Sequence, residues 1–140
     1  MIMPFAPGGT TDSLARVLGI HFTQTWGQQV IVDNRPGANG IIAAEMTTKA
    51  NSDGHTLMYV AIGHAINSLF YRKLPYDTEK DFTPVSLGAV FSQLVRVHPG
   101  VPATSVKELL ALARNKPRGL NYASGGVGSS QHLAGALFND

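Results

Sequence analysis

The sequence contains no cysteine, which removes disulfide staples and thiol nucleophiles from consideration. No apolar run approaches the ~18 residues that cross a bilayer as a helix. Charged residues make up only 14% of the chain, and the net charge is +2. The few lysines and arginines are scattered, so no basic patch exists for nucleic acid or an anionic membrane. Sharper chemical signatures are missing as well. No lysine follows a glycine loop as a P-loop requires, and neither glycine loop completes G-x-G-x-x-G. No G-x-S-x-G elbow occurs. His21, His55, His64, His98 and His132 share no ligand spacing, so neither a metal nor a cofactor is expected.

What remains is 140 residues, 44% of them apolar, enough for one folded unit with a real core. Met1-Ile2-Met3 before Pro4 reads as the end of a strand. Leu14, Leu18 and Phe22, with Ala15 beside them, mark a helix from about Thr11 to Trp26. Thr10 or Thr11 is its expected cap, and Gly27 its stop. Asp12 lies in the first turn, four residues before Arg16, and the two are expected to pair on the helix surface. Val30–Val32 reads as a strand, residues 34–37 as a turn, Asn39–Ala50 as a helix and Thr56–Ala61 as a strand. The order β-α-β-α-β with short links predicts a parallel sheet with crossover helices, an α/β fold. A short helix follows from Gly63 to Arg72, then a turn-rich stretch to Pro84. Val85–Phe91, Gln93–His98 and Leu120–Ala123 read as strands. Ser105 and Glu108 form a capping box for a helix to Asn115, and Gln131–Phe138 reads as a last helix.

A strand, a glycine loop and a helix thus occur twice. The first loop is "FAPGGTTD", residues 5–12, and the second is "SGGVGSS", residues 124–130. A helix start exposes backbone N–H groups that no helical carbonyl reaches, and its dipole adds partial positive charge. Glycine lets a ligand come close to that backbone. Such a loop holds an anion without a cationic side chain. The candidates are Gly8, Gly9, Thr10 and Thr11 in the first loop, with Phe5 as an aromatic wall at its mouth. In the second they are Ser124, Gly125, Gly126, Gly128, Ser129 and Ser130. Each loop taken alone is equally an ordinary turn and cap. His64 and His132 lie beside the loops as rim residues, with no partner for catalysis.

"PFAPGGTTD", "WGQQVIVDNRPGANG", "DGHTLMY", "GHAIN", "LPYDTEKDFTPVSL" and "LNYASGGVGSSQHLAG" together resemble the Bug-type (TctC-like) extracytoplasmic substrate-binding proteins of tripartite tricarboxylate transporters. The resemblance runs the length of the chain, in order and spacing. It implies a periplasmic-binding-protein fold of two α/β lobes, with a small organic acid between them. It implies a pincer in which both glycine loops close on one ligand carboxylate, and Ala61–Asn67, with Ala61, Gly63 and His64, supplies part of the cleft floor. It further implies periplasmic location, no enzymatic activity and delivery to membrane transporter subunits. On this reading residues 1–97 form the first lobe, residues 98–140 begin the second, and Gln93–His98 is a hinge crossing. The abrupt ends, with no signal peptide, lead us to expect a chain truncated at both ends and prone to self-association through uncovered edges. Two other classes share these loops: a phosphate-handling enzyme fragment, and a sensor or interaction domain derived from the receptor fold.

Overall fold

The computed structural model describes residues 1–115, 119–124 and 129–139. At its centre is β1 (Ile2–Met3). On one side β1 pairs in parallel with β2 (Asp33–Asn34), Ile2 opposite Asp33 and Met3 opposite Asn34. On the other, Ile2 bridges in parallel to Met58. There the Ile2 N–H donates to the Leu57 carbonyl at 2.7 Å, and the Tyr59 N–H donates to the Ile2 carbonyl at 3.0 Å. Across the sheet the order is therefore second, first, third, all parallel, and the expected α/β class holds.

The connections are helical. They are α1 (Thr10–Trp26), a single 3-10 turn (Ala38–Gly40) running into α2 (Ile41–Thr48), and, after the Met58 bridge, α3 (Ile62–Phe70). Gly27 ends α1 as expected, in the left-handed region at φ 66°, its N–H bonded to the Thr23 carbonyl. The start differs from expectation. Neither threonine caps α1; the N-cap is Gly9, whose carbonyl accepts the Ser13 N–H at 3.0 Å. Thr10 and Thr11 already have helical backbone, so their hydroxyls lie inside the first turn and not before it.

The core is built where these helices meet β1. Met3, Ala15, Ala43 and Ala44 have no exposure to water. Alanine at positions 43 and 44 lets α2 lie close on the short strand. Val30 and Val32 lie over Gly19 of α1, where a Cβ would touch both side chains.

Several expected strands are not formed. Pairing begins at Asp33 and not at Val30, because the backbone of Met1 to Pro4 faces the residues after Val30. The Met1 amino group donates to the Ile31 carbonyl at 2.7 Å, and the N–H groups of Asp33 and Arg35 donate to the carbonyls of Met1 and Met3. Thr56–Ala61 contributes only its Met58 bridge. Val85–Phe91, Gln93–His98 and Leu120–Ala123 form no strand. Val85, Leu87, Val90 and Leu94 stand about 80% exposed. β-branched residues favour a pleated, half-buried surface, and without a neighbouring strand that preference has nothing to act on.

Two helices complete the described residues, α4 (Val106–Asn115) and α5 (Ser130–Asn139). Ser105 caps α4 as expected, and the returning arm of the capping box lands one residue before the cap. The Glu108 N–H donates to Ser105 Oγ at 3.2 Å, while the Glu108 carboxylate reaches back to the N–H and hydroxyl of Thr104 at 2.7 and 2.9 Å.

Candidate functional site

Because β1, β2 and the Met58 segment are parallel, the loops that follow them leave the sheet at one edge. These are residues 5–9, 35–40 and 61–63. Successive right-handed crossovers in opposite directions put their helices on opposite faces. The first crossover runs from β1 to β2 and the next returns past β1 to Met58. The chain order therefore reverses between β1 and the third segment. In open parallel sheets a ligand crevice forms outside the carboxyl ends at such a reversal. Here the reversal lies between the Phe5–Gly9 loop and the Ala61–His64 turn.

The first loop is held from behind. The Gly8 N–H, at φ 87°, donates to Asp12 Oδ2 at 2.9 Å, and Arg16 Nε donates to the same oxygen at 2.9 Å. Asn34 Nδ2 donates to Asp12 Oδ1 at 2.9 Å and to the Phe5 carbonyl at 3.0 Å. Arg16 Nη2 completes the set by donating to Asn34 Oδ1 at 3.0 Å. Asp12 is thus not the surface partner expected from its spacing; it is 3% exposed. The bonds from Arg16, Gly8 and Asn34 hold its carboxyl down at about 2. Gly8 through Thr10 are exposed, Phe5 and Thr11 half-buried. The Gly8 N–H is committed to Asp12. The N–H groups of Thr10 and Thr11 open the helix, where no helical carbonyl reaches them.

The second and third loops lock together. Asn39, left-handed at φ 51°, donates from Nδ2 to Asn67 Oδ1 at 2.7 Å. Asn67 Nδ2 donates to the Asn39 carbonyl at 3.2 Å and to the Tyr76 hydroxyl at 3.3 Å. Asn67 is fully buried. Gly63 packs so tightly on Asn39 that a Cβ there would lie 2.8 Å from Asn39 Oδ1. Ala61 is the N-cap of α3, and its carbonyl accepts the His64 N–H at 3.0 Å. The His64 ring stacks on Tyr76 and meets Phe82 edge-on, with centroids 5.6 and 4.7 Å away. Its Nδ1 is buried with no hydrogen-bond partner among the described residues, and burial lowers its pKa.

In the second glycine loop, Gly125, Gly126 and Gly128 lie outside the described residues. Ser129 caps α5, its Oγ accepting the His132 N–H at 3.2 Å. Ser130 begins α5, and its hydroxyl accepts from Gln93 Nε2 at 3.1 Å. Ser124 is exposed. Two cavities lie elsewhere. One, of about 500 Å³, runs along α1 beside Val30 and Val32. The other, of about 680 Å³, lies between Gln93–His98, α4 and α5. Neither is lined by the first loop.

Sequence reasoning missed Asn34, Asn39 and the Tyr76–Phe82 pair as parts of this edge. A signal was present in "RPGANG", whose glycines and asparagine tolerate positive φ. That segment bends at the sheet edge instead of opening a helix at Asn39.

Residues 14–140 match the family described as tripartite tricarboxylate transporter family receptor. The chain belongs to this receptor family. A UPF0065 protein of Pseudomonas sp. (strain P51), from the tcbD-tcbE intergenic region, is 40% identical over 136 residues, which cover 97% of this chain and 40% of that one. Among solved structures, R. palustris Rpa4515 with adipate matches at a TM-score of 0.86 and 39% identity, over 99% of this chain and 47% of that one. MatC (Rpa3494) from Rhodopseudomonas palustris, with bound malate, matches at 0.80 and 34%, over 99% and 48%. This TctC-type chain therefore has a periplasmic-binding-protein fold and spans less than half the length of these relatives.

Proposed function

We propose that the chain is part of an extracytoplasmic solute receptor, acting in the periplasm, that binds a small organic acid and delivers it to membrane transporter subunits without chemical change. The observation that carries this reading is the opening turn of α1. Gly9, Thr10 and Thr11 present backbone N–H groups and hydroxyls at an exposed helix start on the reversal edge, and the nearby Asp12 charge is already matched by Arg16. One ligand carboxylate sits on that turn. Ala61, Gly63 and His64 border it from the neighbouring loop, and Ser124 to Ser130 close on it from the other side. Amide and hydroxyl donors suit reversible capture better than a buried ion pair, whose desolvation is costly. The adipate and malate held by the two structural relatives make dicarboxylates the first acids to try.

A thermal-shift screen of dicarboxylates, tricarboxylates, amino acids and nucleotides on the full-length protein tests the class, and a nucleotide hit alone would point to phosphate handling. Calorimetry of variants then tests the loop. Gly9 has extended backbone, and a Cβ there would touch only the Ala6 carbonyl, at 4.0 Å. Gly9→Val therefore leaves the fold intact and abolishes binding, because the side chain takes the place of the carboxylate. Thr11→Val weakens binding by about 0.5–1.5 kcal/mol, the worth of one neutral hydrogen bond. If Gly9→Val binds as tightly as the parent, the loop is a plain turn and the anion site lies elsewhere.

A further inference from the structure

The four-residue cluster behind the first loop has chemistry beyond that of a helix cap. Asp12 receives three donors on two oxygens, and each donor comes from a different part of the fold. Gly8 belongs to the loop, Arg16 to α1 and Asn34 to β2. Asn34 also grips the Phe5 carbonyl, so the cluster fixes the loop at both ends. It places a buried carboxylate one turn from the helix start that, on the reading above, receives a carboxylate ligand. Arg16 is the charged group that faces Asp12; Gly8 and Asn34 are neutral.

We propose that Asp12 and Asn34 are positioning residues that set the first loop for ligand capture, and that Arg16 cancels the Asp12 charge so that an anionic ligand is not repelled. The loop conformation and the charge balance are then separable. Loss of Asp12 frees Gly8 and leaves Asn34 with one fewer acceptor. Loss of Arg16 leaves the loop held but puts an unmatched negative charge next to the capture site. This inference rests on the carboxylate reading, and two readouts keep their failures apart.

The first readout needs no ligand. In the parent, the Gly8 amide proton resonates downfield and exchanges slowly, because a charged carboxylate accepts it. Asp12→Ala shifts it upfield and speeds its exchange at neutral pH. An unchanged Gly8 resonance overturns the latch. The second readout is calorimetric titration of the full-length protein with adipate, malate and succinate at low and high salt. Arg16→Gln weakens binding of whichever acid the parent takes by about three- to tenfold at low salt, and less at high salt, since added ions screen the repulsion that Asp12 exerts on a ligand at the exposed helix start. Adding Asp12→Asn to Arg16→Gln removes the unmatched charge but also one of the two acceptor oxygens that hold Gly8 and Asn34, so the excess salt dependence disappears while part of the affinity loss remains. A purely structural ion pair would give no salt-dependent loss, so a double variant whose salt dependence equals that of Arg16→Gln alone overturns the charge-matching role. If the parent binds none of these acids and no other carboxylic acid of the thermal-shift screen, the carboxylate reading falls and charge matching falls with it, while the Gly8 resonance still decides the latch.

Discussion

Up to Tyr76 the chain folds around groups shielded from water: Met3, Ala15, Ala43, Ala44, Asn67 and Tyr76 itself. After Tyr76 no described residue is buried. Both regions carry well-specified helices. The capping box of α4 is better made than the start of α1, which has no side-chain cap. Yet α4 buries nothing, and α1 contributes Ala15, Gly19 and Asp12 to the interior. Local signals are therefore enough to start and stop a helix, but they do not build a core. A core requires a second surface at the right distance, and in the first region β1 supplies it.

The contrast is open to direct attack. Met3→Ala carries the largest expected effect. Deleting a fully buried side chain from the central strand costs about 2–5 kcal/mol, read as a lower urea midpoint, whereas Leu109→Ala in half-buried α4 costs under about 1 kcal/mol. Equal losses at the two sites would erase the distinction between the regions. Gly63→Ala comes next, at about 1–3 kcal/mol, because the added methyl meets the Asn39 side chain and disturbs its bonds to Asn67. Gly9→Ala, whose methyl would meet only the Ala6 carbonyl at an ordinary 4.0 Å, leaves the midpoint nearly unchanged. Ser105→Ala then removes the α4 cap at a local cost of about 1 kcal/mol. Amide exchange speeds up in the first turn of α4 and stays unchanged in α1.

The smallest effect is a dependence on pH. Burial lowers the pKa of His64 below its ordinary 6.5. Unfolded, the ring takes up a proton first, so the stability it contributes is complete above 6.5 and is lost as pH falls from there toward the folded value. The parent therefore unfolds at lower urea at about pH 5.5 than at about pH 7.5, and His64→Phe, which keeps the ring packing on Tyr76 and Phe82, flattens that slope. An unchanged slope would mean that other histidines produce it.

The residues announced much of the first region. The 3.6-residue spacing of Leu14, Leu18 and Phe22 and the glycine at 27 placed α1 to within a residue. The serine and glutamate at 105 and 108 placed α4. The β-α-β-α-β order led to the parallel sheet, and the glycine loop follows β1 at the carboxyl edge of that sheet. Less legible were the strands. Val30–Val32 and Val85–Phe91 have nearly the same β-branched character. Of these two, it is the segment following Val30 that lies beside the backbone of β1, and even there pairing begins at Asp33.

Asp12 shows the boundary most clearly. Its spacing from Arg16 implied an ion pair on a helix surface, and the pair is there at 2.9 Å. That the carboxylate is buried, and that it also binds Gly8 and Asn34, depended on β2 lying beside β1 and bringing residue 34 to residue 12. The Asn39–Asn67 clamp likewise joins positions 28 residues apart. Helical periods, caps and turns are written within a few neighbouring residues, because the interactions that create them span three or four positions. Strand pairing and buried polar clusters join residues far apart in the chain, so the sequence determined the helices and the chemistry of the loop, while only the packed sheet decided which groups would hold that loop in place.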